Sequence, residues 1–289
     1  MRRQPSIIVI ACATLAACAD VELFVANIAS EGGPYRRADN LAYGTEPRQK
    51  LDIYRPDHAP AATGGTGLPV VVFFHGGSWA SDSKNEYRFV GAALAEKGWL
   101  GIVPSYRLYP EVAFPTFVED AALAVAWAAK HAAEFGGDPK RLFVMGHSAG
   151  AHLALSIALD RHYLATVGAS ADDIKGVIGL SGAYDFLPFT STAVQRVFAG
   201  VTNPLDTQPI HFARADAPPI LLLHGTADEL VPVSNSRNLA DAIRRAGGDV
   251  TLKLYEGRAH GDTVAVFSAL SGSGPPVLAD ITEFIESHR

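Results

Sequence analysis

Gly146-His147-Ser148-Ala149-Gly150 follows the apolar run Leu142-Phe143-Val144-Met145 and precedes the helix-prone Ala151-His152-Leu153-Ala154-Leu155. A serine in this setting predicts a sharp strand-to-helix turn with its Oγ exposed. Larger side chains two positions either side would meet neighbouring backbone, and glycine removes that conflict. An exposed hydroxyl attacks a carbonyl only when a base takes its proton. The sequence offers a base and its carboxylate in two later loops. His224-Gly225-Thr226-Ala227-Asp228-Glu229-Leu230-Val231-Pro232 follows the apolar run at 220–223, and Glu256-Gly257-Arg258-Ala259-His260-Gly261 follows a strand-like run at 250–255. Ser148 is therefore expected as nucleophile, His260 as base and Asp228 as the acid that orients the base, with Glu229 as the alternative acid. No metal or cofactor is required for such chemistry.

Attack on a carbonyl creates an oxyanion, which needs preset N–H donors. One is expected from Ala149, directly after the serine. The others are expected from Gly77 and Ser78 in His75-Gly76-Gly77-Ser78-Trp79, which follows the apolar run Val70-Val71-Val72-Phe73-Phe74. Of the remaining histidines, His224 is expected to brace the acid loop, and His147 and His152 to pack around the serine turn. Trp79, Tyr109, Phe186 and Phe189 are candidate pocket walls.

The elements that must hold these loops alternate. Continuous apolar runs at 70–74, 100–103, 142–145, 177–180 and 220–223 suit strands covered on both faces. Residues 51–54 and 250–255 complete the set. Phe117, Ala121, Ala124, Val125 and Ala128 share one helical face, as do Leu239, Ala242, Ile243 and Ala246. Ser234 is expected to cap the second of these helices and Gly247-Gly248 to stop it. A last helix is expected to start near Pro275-Pro276 and bury Leu278, Ile281, Phe284 and Ile285. Residues 59–68 read as an exposed loop. Strands alternating with helices predict an α/β fold with a mostly parallel sheet and helices on both faces. Residues 184–219 interrupt the rhythm and read as a short insertion over the carboxyl edge of the sheet. One domain is expected over residues 41–289.

The 289 residues are 48% hydrophobic and 19% charged with a net charge of −6, enough for a large core and too acidic for nucleic-acid binding. The start of the chain differs. Arg2 and Arg3 precede an apolar stretch that ends in Leu15-Ala16-Ala17-Cys18. This resembles a bacterial lipoprotein signal over residues 1–17, with Cys18 lipidated and residues 18–40 as tether and lead-in. It implies a membrane partner through the lipid anchor and a cell-envelope location, with the outer membrane weakly favoured because Ala19 is not aspartate. The alternative is an ordinary secretory signal cut near Ala17 or Ala19. The two cysteines, Cys12 and Cys18, both lie in this segment.

From about residue 50 to its end the chain resembles the α/β-hydrolase superfamily, in particular carboxylesterases and hormone-sensitive-lipase-like bacterial esterases of the feruloyl and acetylxylan esterase-like branch. The matching residues are His75-Gly76-Gly77, Tyr106-Arg107-Leu108-Tyr109-Pro110-Glu111, Phe135-Gly136-Gly137-Asp138-Pro139, residues 146–150, residues 224–232 and His260-Gly261. The resemblance implies hydrolysis of a small-molecule ester through an acyl-enzyme, and a structural role for Asp120. Ser78 stands where relatives with His-Gly-Gly-Gly carry the last glycine. Aryl-formamidases and some exopeptidases share this scaffold, so an amide substrate is the alternative. A hydrolase-fold binding protein without catalysis is disfavoured by the intact Ser148, Asp228 and His260.

Overall fold

Among the described residues, eight strands form one sheet: β1 (Tyr35–Ala42), β2 (Lys50–Pro56), β3 (Leu68–Phe74), β4 (Leu100–Pro104), β5 (Gly137–His147), β6 (Ile174–Leu180), β7 (Ile220–Gly225) and β8 (Val250–Tyr255). Their spatial order is β1-β2-β4-β3-β5-β6-β7-β8. Strands β3 to β8 run parallel, whereas β2 is antiparallel to both β1 and β4. The computed structural model describes residues 23–58, 67–268, 270 and 274–288. The leader expected at 1–17, Cys18 and most of the loop expected at 59–68 lie outside the described residues.

The continuous apolar runs are explained by which way alternate side chains point. Val70, Val72 and Phe74 of β3 join one core, with Leu142 and Val144 of β5 and Ile220 and Leu222 of β7. Val71, Phe73, Phe143, Met145, Leu221 and Leu223 point the other way into a second core. Both faces are dry there, so every position in the runs 70–74, 142–145 and 220–223 is apolar, and each fully buried Val, Leu or Phe contributes roughly 1.5–3 kcal/mol.

The first core is covered by α3 (Thr116–His131), α4 (Ala149–Leu159), α5 (Arg161–Thr166) and α7 (Ser234–Ala246). The second is covered by α2 (Arg88–Glu96), α8 (Asp262–Ala265) and α9 (Val277–Ser287). Helix α9 starts at Val277, and it is Val277 that is fully buried with Ile281, Phe284 and Ile285, while Leu278 is only half-buried. Ser234 is not a cap: it is the first residue of α7, which follows Val233 without a side-chain cap. The stop at Gly247 is as expected, with φ at 86°. Strand β8 differs from its fellows. It is the sheet edge, and most of its side chains reach solvent.

The stretch expected to be tether and lead-in contains regular structure. Residues 23–30 form a helix, α1, and β1 occupies Tyr35–Ala42. The insertion at 184–219 carries the short helix α6 (Thr192–Val197) and two 3-10 turns, Pro204–Thr207 and Pro209–Phe212. It crosses the carboxyl edge: His152 Nε2–H, from the helix behind Ser148, donates to the Thr207 carbonyl at 2.9 Å.

Candidate active site

Strand β5 ends at His147 and α4 begins at Ala149, so Ser148 alone makes the turn. Its φ of 54° and ψ of −119° lie in a region that costs a non-glycine residue about 1–3 kcal/mol. The two glycines make the turn possible. A Cβ on Gly146 would lie 2.2 Å from the Gly150 carbonyl oxygen, and one on Gly150 would lie 2.1 Å from that of Phe74. The Ser148 N–H is held by the Leu180 carbonyl at 2.9 Å, which pins the turn to β6. Ser148 itself stays half-buried, open to a ligand.

Asp228 and His260 meet across the ends of β7 and β8. His260 Nδ1–H donates to Asp228 Oδ2 at 2.8 Å. The Asp228 side chain is fully buried and that of His260 is 14% exposed, so the carboxylate is sheltered while the imidazole keeps a path outward. Asp228 Oδ1 accepts from the N–H groups of Leu230 at 3.0 Å and Val231 at 2.8 Å. Burial opposes its charge, but hydrogen bonds from His224, His260 and the Val231 amide outweigh burial and hold the carboxyl below the usual range. Glu229, the alternative acid, is exposed.

Two other histidines fix this pair. His224 is completely buried. Its Nε2–H lies between the Val231 carbonyl at 2.9 Å and Asp228 Oδ2 at 3.1 Å, and its Nδ1 accepts from the Ser236 hydroxyl at 2.7 Å. It therefore does more than brace the loop: it contacts the carboxylate directly. His147, adjacent to Ser148, donates from Nε2–H to the His260 carbonyl at 3.2 Å, and the two rings lie 4.9 Å apart. The residue before the serine thus ties the base's loop to the serine turn. The sequence marks both histidines by position, but a bond between residues 113 apart has no local signal.

Beside the turn, Gly77, Ser78 and Trp79 all have positive φ, at 103°, 52° and 59°. Consecutive residues of this kind turn their amides into a shared concavity suited to negative charge. Neither the Gly77 nor the Ser78 N–H has a hydrogen-bond partner among the described residues. Gly77 is half-buried and Ser78 exposed. Ala149 is the first residue of α4, where helical geometry leaves its N–H without an internal partner. The loop is braced from behind. His75 stacks on Tyr106 with ring centres 4.3 Å apart, and the Tyr106 hydroxyl donates to the His75 carbonyl at 2.8 Å. Asp120 accepts from the Arg107 guanidinium at 2.7 Å and from Gln49 Nε2 at 2.7 Å, which is the structural place expected of it.

Of the candidate pocket walls, Trp79 is buried, with its Nε1–H donating to His152 Nδ1 at 3.2 Å. Tyr109, Phe186 and Phe189 are half-buried. Phe198, which the sequence reading did not single out, lies at 4.9 Å from Trp79, 5.5 Å from Phe186 and 5.3 Å from Phe189, and so joins these rings into one aromatic group. A cavity of about 400 Å³ bounded by Asp172, Lys175, Asp216 and His288 opens at the amino edge of β6 and β7, away from Ser148.

Three of the histidines around the site are buried and uncharged. Burial pushes His75 and His147 down to about 3 and His152 down to about 4. These groups bind fewer protons folded than unfolded, so each is neutral at no cost above an unfolded value of roughly 6.5 and loses stability as pH falls toward the folded values. The unfolding temperature is expected to be flat from pH 8 to 7 and to drop steadily from about pH 6.5 to 4. Scanning calorimetry across that range checks this. A flat profile down to pH 4.5 would show that these histidines are not buried neutral.

Comparison with known proteins finds relatives that are named esterases. It is 32% identical over 251 residues to the probable isoprenylcysteine alpha-carbonyl methylesterase ICMEL1 of Arabidopsis thaliana, covering 79% of this chain and 52% of that one. It is 30% identical over 276 residues to esterase LipC of Mycobacterium tuberculosis, covering 88% of this chain and 66% of that one. The chain thus spans between about half and two thirds of the length of these relatives. Among solved structures, esterase 2 of Thermogutta terrifontis is similar with a TM-score of 0.67 at 26% identity, over 89% of this chain and 92% of that one. These similarities and the parallel sheet describe an α/β-hydrolase fold. The BD-FAE family model matches residues 51–243, from the second strand through the acid loop and nearly all of α7, and the chain belongs to the BD-FAE family.

Proposed function

We propose that the protein is a serine carboxylic-ester hydrolase in which Ser148, His260 and Asp228 act as a triad. The observation that carries this reading is the His260–Asp228 pair at 2.8 Å, tied through His147 to the strained turn that exposes Ser148. Ser148 Oγ attacks the ester carbonyl while His260 Nε2 takes its proton. The same proton goes to the departing alcohol, and water activated by His260 then releases the acid from the acyl-enzyme. Asp228 keeps Nδ1 of His260 protonated, so that Nε2 is free to accept. The amides of Gly77, Ser78 and Ala149 receive the oxyanion. The esterase and methylesterase names of the relatives agree with an ester bond.

The preferred acyl group is short. The insertion is small, and the exposed Ser78 adds a side chain where glycine would leave room. A longer chain gains roughly 0.8 kcal/mol per buried methylene only where an apolar trench receives it, so turnover is expected to peak at about two to six carbons. Nitrophenyl esters from two to about sixteen carbons, run beside a formanilide, test both bond and length. Faster hydrolysis of the formanilide would replace the ester reading with an amidase. Faster hydrolysis of a dodecanoyl than a butanoyl ester, measured below micelle formation, would replace the short acyl site with a lipase-like one.

We also read Cys18 as lipidated after removal of residues 1–17, which anchors the protein to a bacterial envelope membrane without a spanning helix. The support is the Leu15-Ala16-Ala17-Cys18 sequence behind a basic, apolar leader. Palmitate labelling of the wild type, lost in Cys18→Ser, is the expected outcome.

A further inference from the structure

The N-terminal chain joins the folded domain at the edge that carries the candidate active site. In the middle of α1, Asn27 Nδ2 donates to the carbonyls of Asn85 at 2.9 Å and Glu86 at 3.1 Å, and its Oδ1 accepts from the Phe89 N–H at 3.1 Å. That contact lies at the start of α2, just beyond the loop that follows the carboxyl end of β3. Six residues after Asn27, Gly33 sits by the far end of α2, where an added Cβ would lie 3.1 Å from Glu96 Oε1. Strand β1 then begins at the amino edge. Helix α1 therefore runs beside α2 from the carboxyl edge toward the amino edge, and Leu23 stands at the carboxyl edge, with Ser148, Asp228 and His260.

One stripe of α1 is left uncovered. Ala26 is buried and Leu23 packs on the second core. Phe24, Val25 and Ile28 share a stripe of the helix and are 64%, 43% and 54% exposed. Bulky apolar side chains grouped in water mark a contact surface. Leu23 follows Cys18 by five positions, and five extended residues reach at most about 18 Å. A lipid on Cys18 would hold this stripe that close to a bilayer. No described helix is long and apolar enough to cross one. Residues 23–30 contain no Lys or Arg, so attraction to anionic headgroups contributes nothing from this helix.

We propose that the Phe24-Val25-Ile28 face of α1 lies in the interfacial layer of the membrane, which holds the carboxyl edge of the sheet beside the lipid surface, so that the substrates are esters held in that membrane. This rests on the lipid-anchor reading of Cys18 and on the triad, and it goes beyond both by assigning an orientation and a substrate location. Amphipathic segments of this kind bury their apolar side at the headgroup boundary, and one acyl chain or helix alone anchors weakly.

The test uses the full-length protein reconstituted in phosphatidylcholine vesicles. Phe24→Trp introduces an indole whose fluorescence is read against the unsubstituted protein, which contributes Trp79, Trp99 and Trp127. Brominated phosphatidylcholine is expected to quench the added signal, equally in high salt and without anionic lipid. The triple variant Phe24→Ser, Val25→Ser, Ile28→Ser is expected to keep soluble nitrophenyl acetate turnover within about twofold and to lose about tenfold on a vesicle-embedded ester. Unchanged soluble turnover also shows that the variant folds. An unquenched indole, or equal loss on both substrates, would overturn the proposal. So would a dimer in detergent-free solution that the triple variant dissolves, since the face would then belong to a second copy. Palmitate labelling reads the anchor separately. Labelled protein without quenching overturns the orientation and leaves the anchor, whereas quenching without label supports the membrane face and removes the anchor.

Discussion

Ser148→Ala is expected to abolish ester turnover, leaving about 10³–10⁴-fold over the uncatalysed reaction from the oxyanion donors and substrate binding alone. The size of the loss follows from the geometry of the turn. Ser148 is the single residue between β5 and α4, held at φ 54° by the Leu180 carbonyl. The positions two residues either side are glycines that carry no hydroxyl, and a Cβ at either would meet backbone. Alanine keeps the same backbone demands and removes only Oγ, so folding should be little changed. Turnover of nitrophenyl acetate by purified protein, with the unfolding temperature as control, reads the effect. A variant that folds and keeps more than a few per cent of activity would show that another residue is the nucleophile.

Asp228→Asn is expected to cost about 10⁴ in turnover, with Glu229→Gln nearly silent. The carboxylate accepts four N–H donors: His260 Nδ1, His224 Nε2, and the amides of Leu230 and Val231. An asparagine can place its oxygen on the backbone pair, but its NH₂ then faces two imidazole N–H groups. His260 answers by moving its proton from Nδ1 to Nε2, the nitrogen that must accept from Ser148. The loss should therefore fall on turnover rather than on KM, and should ease as pH rises. Kinetics across pH 6 to about 10 distinguish this from unfolding. A loss under tenfold, or a greater one in Glu229→Gln, would move the acid away from Asp228.

The parts of the site that the sequence announces are those built from local chemistry. The serine turn needs glycines within two residues, and the acid and base loops each follow a strand directly, so short strings of residues carry them. The two-sided burial of β3, β5 and β7 is legible for the same reason: both alternating faces are apolar. Other parts have no local signature. Helix α2 buries seven of its nine residues, so it lacks the polar stripe that marks an amphipathic helix. Strand β1 is polar because it is an edge, and Tyr-Arg-Arg-Ala-Asp-Asn reads as a tether until pairing with β2 gives it a partner. Ser234 looks like a cap, yet the helix begins on it. The roles of His147 and His224 depend on contacts made only after the loops converge, and a histidine's surroundings cannot be read from its neighbours in sequence.

The most direct measurement is covalent. A fluorophosphonate reacts with a serine only where a base activates Oγ and amides stabilise the charged adduct, so it reports nucleophile, base and oxyanion donors together. Intact-mass and peptide-level mass spectrometry should show one adduct per chain, on the peptide containing Ser148. It should be absent in Ser148→Ala and strongly slowed in His260→Ala. An unlabelled wild-type protein, or an adduct on any other residue, would contradict the account.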